Sequence, residues 1–440
     1  VLYRLFSWYS SVAGDVITQQ AISGALKSKL PHESGKIALY ETVYEGLQNT
    51  SASEADFKWA LEQLQQEYAT RETTKALTQA MRVLKAGMEG PDGEERIGHE
   101  AARDYILSKF SEVDLRLQVQ EAPEGDTRQE EAEILDEYYA TRDKTAGSEY
   151  LGLQFGIDEV DKYTGGLQPG ELDFVLGYAS SGKSSLCVQL AWWTAFQQKK
   201  NVVFVTTETL RPQIRRKLIS RHSKLSKFEI PEGLNSSDLK RGNLDLELED
   251  KLREVVFDYS HGDYGYLNVM QASDGMTLAN TKLKLQRLQR ERQIDLVIID
   301  SIYILKADRN RPDSRQELNS IIESCKGLAT TFNNGNGVPL VSPWQTSRIH
   351  KEKADKDRRY SMSAMAETAM AERYADIVIG LLEPEITQRY TTLSCNMVKN
   401  RDGEQSPSFE VKVDYATSHF SNQIRAADSS DFNGLIASFA

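Results

Sequence analysis

The chain has 440 residues, 40% of them hydrophobic and 27% charged. This is too long for one ordinary core and suits two or three domains of roughly 100–200 residues each, while Gly 28 and Pro 11 exclude a low-complexity or collagen-like chain. The formal net charge of −12 is unevenly spread: residues 1–150 hold 16 Lys+Arg against 27 Asp+Glu, and residues 151–440 hold 37 against 38, so the acidic total does not exclude a local basic surface in the second part.

From residue 1 to 118 the pattern is helical. The opening VLYRLFSWYSSVAG has no long apolar stretch and does not read as a signal peptide. Between Ser53 and Met88, Phe57, Leu61, Leu64, Tyr68, Leu77, Met81 and Leu84 recur near a period of 3.6, after a capping box at Ser51 and Glu54. A second helix is expected from His99 to Phe110. Residues 119–150 form a linker with Gly-containing joints at both ends. Its expected helix, Arg128 to Lys144, pairs Ile134 with Tyr138 and Leu135 with Tyr139 in one apolar stripe. A helix this short is marginal alone, so the stripe needs a surface, on its own chain or on a neighbouring copy.

Beyond residue 155 the texture alternates between strand and helix. Strand-like runs occupy 171–178, 201–208, 295–300, 338–343, 376–382, 391–398 and 409–415. Helical stretches at 183–198, 211–222, 277–293, 313–332 and about 363–373 separate the first five. Apolar strands separated by helices predict an α/β domain with a mostly parallel sheet. Residues 225–270 look like an insertion with one acidic helix near Asp245 to Val256, and a polar tail begins near Asn422. Cys187, Cys325 and Cys395 are the only cysteines, which excludes a disulfide framework or zinc ribbon and fits a cytoplasmic protein. The longest apolar run, Leu296 to Leu305, is about half the roughly 20 residues of a membrane-spanning helix.

One motif carries chemistry. Gly177-Tyr-Ala-Ser-Ser-Gly182-Lys183-Ser184 fits G-x-x-x-x-G-K-[ST] and lies between an expected strand and an expected helix. Glycines let such a loop wrap closely, so that successive N–H groups and the helix N-terminus face phosphate oxygens. Gly177, Ser180, Ser181, Gly182 and Ser185 would line that cradle, Lys183 would reach the β- and γ-phosphates, and the Ser184 hydroxyl would ligate Mg2+. Asp300, at the C-terminal end of LVIID, is the second candidate metal ligand. Ser301 follows it, so a base for hydrolysis must come from elsewhere. Glu208 ends a strand expected to neighbour the loop strand and is either that base or an ordinary solvated glutamate. Trp192, Trp193 and Cys187 on the following helix read as core.

TGGLQPGEL (164–172), the motif above, Glu208, Asp300, Gln345 and Lys399-Asn400-Arg401 occur in this order, and together they resemble the DnaB-type replicative DNA helicase family. The likeness covers about 130–420. It implies an α/β RecA-like P-loop ATPase domain with a mostly parallel central sheet, preceded by a small all-helical N-terminal domain and a linker helix. The boundaries expected are 1–118, 119–150 and 151–440. The resemblance further implies ATP with Mg2+, Glu208 as the catalytic glutamate and Gln345 as the γ-phosphate sensor. Lys399 and Arg401 would be inserted into a neighbouring subunit's site, Arg401 as an arginine finger; otherwise they are a solvated basic turn.

Expected partners are single-stranded DNA, further copies in a homo-hexamer, and a separate primase and helicase loader, with no membrane. The family holds DNA on loops in a central channel. Here the segment Arg348 to Arg359 carries six Lys/Arg against three Asp/Glu, and such a loop suits tracking of phosphates. Arg348, Lys351, Lys353, Arg358 and Arg359, with Arg315 and Glu367, are the candidate DNA contacts. Ala366-Glu367-Thr368-Ala369 departs from the family's Arg-Glu-Ser-Gly-like stretch and lacks its Arg. Two rival functions share parts of this pattern, a RecA/RadA-type recombination ATPase and an ATP-gated oligomeric scaffold.

Overall fold

The computed structural model describes residues 27, 54–89, 95–117, 131–145, 150–272, 276–307, 313–365, 368–382, 390–401, 403 and 406–422. Ser51, Glu367, the joints of the linker helix and the tail after residue 422 lie outside the described residues. The chain divides into two compact units, Val1–Val119 and Gln120–Ala440.

In the first unit, α1 (Glu54–Ala86) packs on α2 (His99–Leu117) through small side chains, Ala80 and Val83 against Ala102. A two-residue antiparallel pair, Met88–Glu89 with Glu95–Arg96, lies between them. Leu77, Met81 and Leu84 project from α1 into solvent.

The second unit starts with α3 (Glu131–Thr145), whose Ile134, Leu135, Tyr138 and Tyr139 are all exposed. The apolar stripe of the linker helix is therefore uncovered. After α4 (Asp158–Thr164) the elements are β1 (Leu172–Gly177), α5 (Lys183–Trp192), β2 (Val202–Thr206), α6 (Arg211–His222), α7 (Ser236–Arg241), α8 (Leu246–His261) and β3 (Leu267–Gln271). They continue as α9 (Leu278–Glu291), β4 (Leu296–Asp300), α10 (Ser314–Thr331), β5 (Leu340–Gln345), α11 (Arg348–Asp357), α12 (Ala369–Tyr374), β6 (Ile377–Leu382), β7 (Tyr390–Asn400), β8 (Phe409–Asp414) and β9 (His419–Asn422). TGGL turns the chain into β1. Gly165 ends α4 in the left-handed region, and Gly166 (φ +83°) lies so close to the Gly152 backbone that a Cβ would collide with it.

The sheet order is β9-β8-β7-β6-β1-β5-β4-β2-β3, parallel from β6 to β3 and antiparallel from β6 to β9. The alternation along each strand splits the core. Phe174, Val203, Val205, Val297 and Ile299 face one layer of helices, and Val175, Val202, Phe204, Leu296 and Ile298 face the other. Strands covered on both faces are apolar along almost all their length, which is why LDFVLG, VVFVT and LVIID are legible as strands.

Three expectations need correction. β2 does not neighbour β1: the chain crosses over two positions after α5, and β4 and β5 later fill the gap. β3, inside the supposed insertion, completes the sheet as its edge strand; LNVMQ is only half-buried, so it lacks the apolar run that marks the central strands. Residues 348–357 are a helix and not a loop. Arg348 pairs with Glu352 at 3.1 Å and Lys351 with Asp355 at 2.8 Å, both at i,i+4, and Ala354 buries the inner face. Arg358, at φ +56°, stops it.

The segment 226–261 wraps a small core of its own, Ile219, Phe228, Leu234 and Val255. It is joined to α5 through His222. Trp192 Nε1 donates to His222 Nδ1 at 3.1 Å, so Nε2 carries the proton and donates to Asp258 Oδ2 at 2.8 Å. Lys227 and Tyr264 donate to the same carboxylate. Among the described residues no helix is long and apolar enough to cross a membrane.

Burial pushes His222 down to about 4 from its ordinary 6.5, against the pull of Asp258. A charged ring would also put a proton on Nδ1, where Trp192 already donates. A lowered histidine contributes stability that is complete above pH 6.5 and lost as pH falls toward 4, about 3 kcal/mol in all. Urea unfolding at pH 7, 6, 5 and 4 is expected to show this loss, with a parallel one from His419, which burial lowers to about 3, and His222→Gln is expected to reduce the slope over that range.

Candidate active site

Six strands run parallel, and their C-terminal ends form one edge of the sheet. β1 delivers Gly177 there, and the loop 178–182 turns the chain into α5. Ser180 (φ +63°) and Gly182 (φ +91°) both take left-handed conformations. A side chain at Gly182 would be strained: its Cβ would stand 2.9 Å from Cε1 of Tyr415. Ser181 Oγ is buried and has no hydrogen-bond partner. Ser185 is buried within the first turn of α5. Lys183 opens the helix, and its Nζ donates to the Tyr178 carbonyl at 2.6 Å.

β4 delivers Asp300 beside this loop. The carboxylate is only 4% exposed. Burial raises its pKa above the ordinary value and nearby Glu208 raises it further, while the Ser184 hydroxyl that donates to it acts the other way. Lys217 on α6 and Lys183 add positive charge near Asp300. Ser184 and Asp300 offer a hydroxyl and a carboxylate side by side. That oxygen-only pair suits Mg2+, which takes one or two carboxylates and completes its shell with water and substrate phosphates. No group of three His, Cys, Asp or Glu exists among the described residues that would favour another metal.

Glu208 lies two residues beyond β2, and Ser301 Oγ donates to its Oε1 at 3.0 Å. Thr207 Oγ1 ties the same corner by donating to the carbonyls of Asp300 and Ser301 at 2.9 and 3.0 Å. Gln345 ends β5. Lys183, Ser184, Glu208, Asp300 and Gln345 together line one cavity of about 640 Å³. Arg348 lines it as well, with Tyr303 and Thr346.

Lys399 and Arg401 are elsewhere. β7 runs antiparallel to β6, so its end pairs with the start of β6, at the N-terminal edge of the parallel strands. The six residues of β1 separate the two edges by about 17 Å. Lys399 Nζ donates to the Glu372 carbonyl at 2.8 Å, and its pKa lies below the ordinary value because of burial and the Arg401 charge. Arg401 reaches Asp376 at 2.8 Å and the Arg373 carbonyl at 2.8 Å. The other candidates lie on helices: Arg315 in the first turn of α10, Lys351 and Lys353 on α11, and Arg358 and Arg359 just past its end. Glu367 lies outside the described residues.

Sequence reasoning missed three groups. Ser301 entered only as the residue that is not a glutamate, Arg348 only as a candidate DNA contact and not as a cavity residue, and Tyr415 not at all. None belongs to a local motif; each is brought in by the end of a strand that is distant in sequence.

These features define a class: a RecA-like P-loop domain with its P-loop on the carboxyl edge of a mostly parallel sheet. The chain belongs to the DnaB-like helicase C terminal domain family, whose profile matches residues 152–422. It is 25% identical over 232 residues to the replicative DNA helicase DnaB of Geobacillus stearothermophilus, covering 52% of this chain and 47% of that one. It is 24% identical over 258 residues to the replicative DNA helicase DnaC of Bacillus subtilis, covering 57% and 52%. The chain thus spans about half the length of the curated relatives it matches.

Two solved structures share the fold. One, described as an ATPase domain, matches with a TM-score of 0.57 at 18% identity, over 69% of this chain and 100% of that one. A DnaB-like replicative helicase, described with its interactions with primase, matches with a TM-score of 0.62 at 16% identity, over 95% and 90%.

The cavity generates a binding prediction. Lys183→Ala is expected to weaken binding of a fluorescent ATP analogue at least ten-fold, on the order of 1.4 kcal/mol, with little change in melting temperature. Gly182→Ala is expected to weaken binding and to lower the melting temperature as well, because the new methyl group meets Tyr415. Unchanged affinity in both would mean the cavity is not the nucleotide site.

Proposed function

We propose that this chain is the ATP-hydrolysing motor of a replicative DNA helicase, working as a homo-hexameric ring on single-stranded DNA. One observation carries the reading. Lys183, Ser184, Asp300, Glu208 and Gln345 converge on a single cavity from four strand ends, while Lys399 and Arg401 stand on the opposite edge of the sheet. A site that holds the phosphate-loop lysine, the acids and Gln345 but not the Lys399/Arg401 pair, in a chain that presents that pair on its other side, is finished by a second copy.

The chemistry follows from the positions. Loop N–H groups and Lys183 hold the β- and γ-phosphates of ATP. Ser184 and Asp300 would hold Mg2+, which would neutralise charge on the phosphate oxygens. Glu208, kept in place by the Ser301 hydroxyl, orients the attacking water and takes up its proton. Gln345, at the end of β5, senses whether the γ-phosphate is present. Arg401 and Lys399 of a neighbouring copy stabilise charge in the transition state, so hydrolysis depends on how two copies meet.

Helix α11 supports a route from nucleotide to DNA. Arg348 lines the cavity, and Lys351, Lys353, Arg358 and Arg359 follow on or just beyond the same rigid element. Exposed ion pairs such as Arg348–Glu352 are worth about 0–1 kcal/mol, so a phosphate backbone can displace the acidic partners. With Arg315 and Glu367 these are the proposed DNA contacts. The exposed stripe of α3 would dock on a neighbouring copy. A separate primase and a helicase loader are the further partners, in the cytoplasm.

A forked-duplex unwinding assay tests the function. Wild type is expected to unwind with ATP and Mg2+, and Lys183→Ala and Arg401→Ala to lose unwinding, with Arg401→Ala still binding ATP. Normal unwinding by Arg401→Ala would sink the ring reading. An ATPase rate insensitive to single-stranded DNA would favour a scaffold instead.

A further inference from the structure

We infer that Asp376 is the positioning residue for Arg401, a role that rests on the reading of Arg401 as a group supplied to a neighbouring copy. Asp376 immediately precedes β6, and its side chain is 6% exposed. Its Oδ1 lies 2.8 Å from Arg401 Nη1. Its Oδ2 accepts from the Leu172 N–H at 2.8 Å and from Lys326 Nζ at 2.6 Å. The carboxylate is therefore fixed from below by β1 and α10 before it meets Arg401.

The backbone repeats the attachment. Arg401 N–H donates to the Asp376 carbonyl at 3.0 Å. The second guanidinium nitrogen, Nη2, donates to the Arg373 carbonyl at 2.8 Å, and Lys399 donates to Glu372 one residue earlier. Both basic groups are thus held by the last carbonyls of α12 and the carboxylate just beyond it. Cations are favoured at that end of a helix.

This arrangement suits a group that must act at a surface. An arginine side chain has many rotamers, and ordering it opposes every contact it makes. At Arg401 the ordering is done within its own subunit, at a side chain still 43% exposed. A guanidinium has five N–H donors, and the contacts to Asp376 and Arg373 engage only Nη1 and Nη2. Nε and the remaining hydrogens can meet a phosphate oxygen while Asp376 keeps its hold. Asp376 touches neither substrate nor reacting atoms; it acts through Arg401.

Lys326 separates this role from a merely structural one. It belongs to the same buried ion-pair cluster but contacts Asp376 and the Gly170 carbonyl, not Arg401. In Asp376→Asn the amide oxygen can still accept from Leu172 N–H, while Arg401 loses its charged partner. In Lys326→Gln the cluster also loses a charge, but Asp376 keeps its own for Arg401.

The test is steady-state ATPase kinetics on the full chain with single-stranded DNA, for each variant alone and mixed with Lys183→Ala. Mixing pairs an intact nucleotide site in one subunit with an intact Arg401 in the next. Asp376→Asn is expected to lower kcat about ten-fold, with KM for ATP within two-fold of wild type. Mixing it with Lys183→Ala, itself inactive, is expected to restore several-fold more activity than the two give separately, as mixing Arg401→Ala with Lys183→Ala does. Lys326→Gln is expected to keep at least half of wild-type kcat.

A wild-type kcat for Asp376→Asn overturns the inference. So does an equal fall in Lys326→Gln, or failure of the Asp376→Asn mixture when the Arg401→Ala mixture recovers; in that last case Arg401 still acts between copies. If the Arg401→Ala mixture fails to recover, the reading of Arg401 falls and the role of Asp376 with it. Should Asp376→Asn not fold by thermal melting, Asp376→Glu takes its place. That variant is expected to show a smaller fall in kcat with the same rescue, and a wild-type kcat for it counts against the inference.

Discussion

Strands covered by helices on both faces have no room for a charge along their length. In β1, β2, β4 and β5 nearly every side chain is buried, and the polar groups the chain needs are pushed to the strand ends. The arrangement of the site follows from this. Lys183, Glu208, Asp300 and Gln345 are far apart in sequence, but each stands just at or beyond the carboxyl end of a buried strand, and parallel strands bring those ends together. Asp173, inside β1, shows the cost of an exception: it is fully buried, burial holds its carboxyl well above the usual range, and one oxygen has no partner. The opposite edge gathers its own polar set at the strand starts, Asp376 with Lys326 and Arg401.

Much of the motor part is legible in the sequence for the same reason. An apolar run of five or six residues bounded by polar ends needs no partner to be read as a strand, and the phosphate-loop motif is continuous. What fails is information that sequence distributes across space. Strand order cannot be read from a run of residues, so β2 reads as the neighbour of β1. LNVMQ, as an edge strand, is only half-covered and keeps an Asn and a Gln, so no apolar run marks β3. In RIHKEKADKDRR the charges suggest a loop; their i,i+4 spacing of opposite signs is the helical signal, and Ala354 supplies the one buried contact. The bond between Ser301 and Glu208 joins residues 93 positions apart, which no local pattern announces.

His222 gives the segment after α6 a structural reason. Its ring is packed among those of Trp192, Phe196, Phe228, Tyr259 and Tyr264. α5 begins with Lys183 and ends with Trp192, so the helix that opens with the P-loop lysine is fastened at its far end to residues 226–264. A segment that reads as an insertion is part of the support of the site.

The placement of Lys399 and Arg401 across the sheet from Lys183 has an arithmetical consequence on the reading proposed for them. Each chain then owns half of two sites. A row of n copies completes n − 1 sites and leaves one nucleotide pocket and one basic edge idle at its ends. A closed ring of n copies completes n. Closure therefore adds a working site without adding a subunit, and an open assembly always contains one copy that can hold a nucleotide but has no neighbour to complete its site.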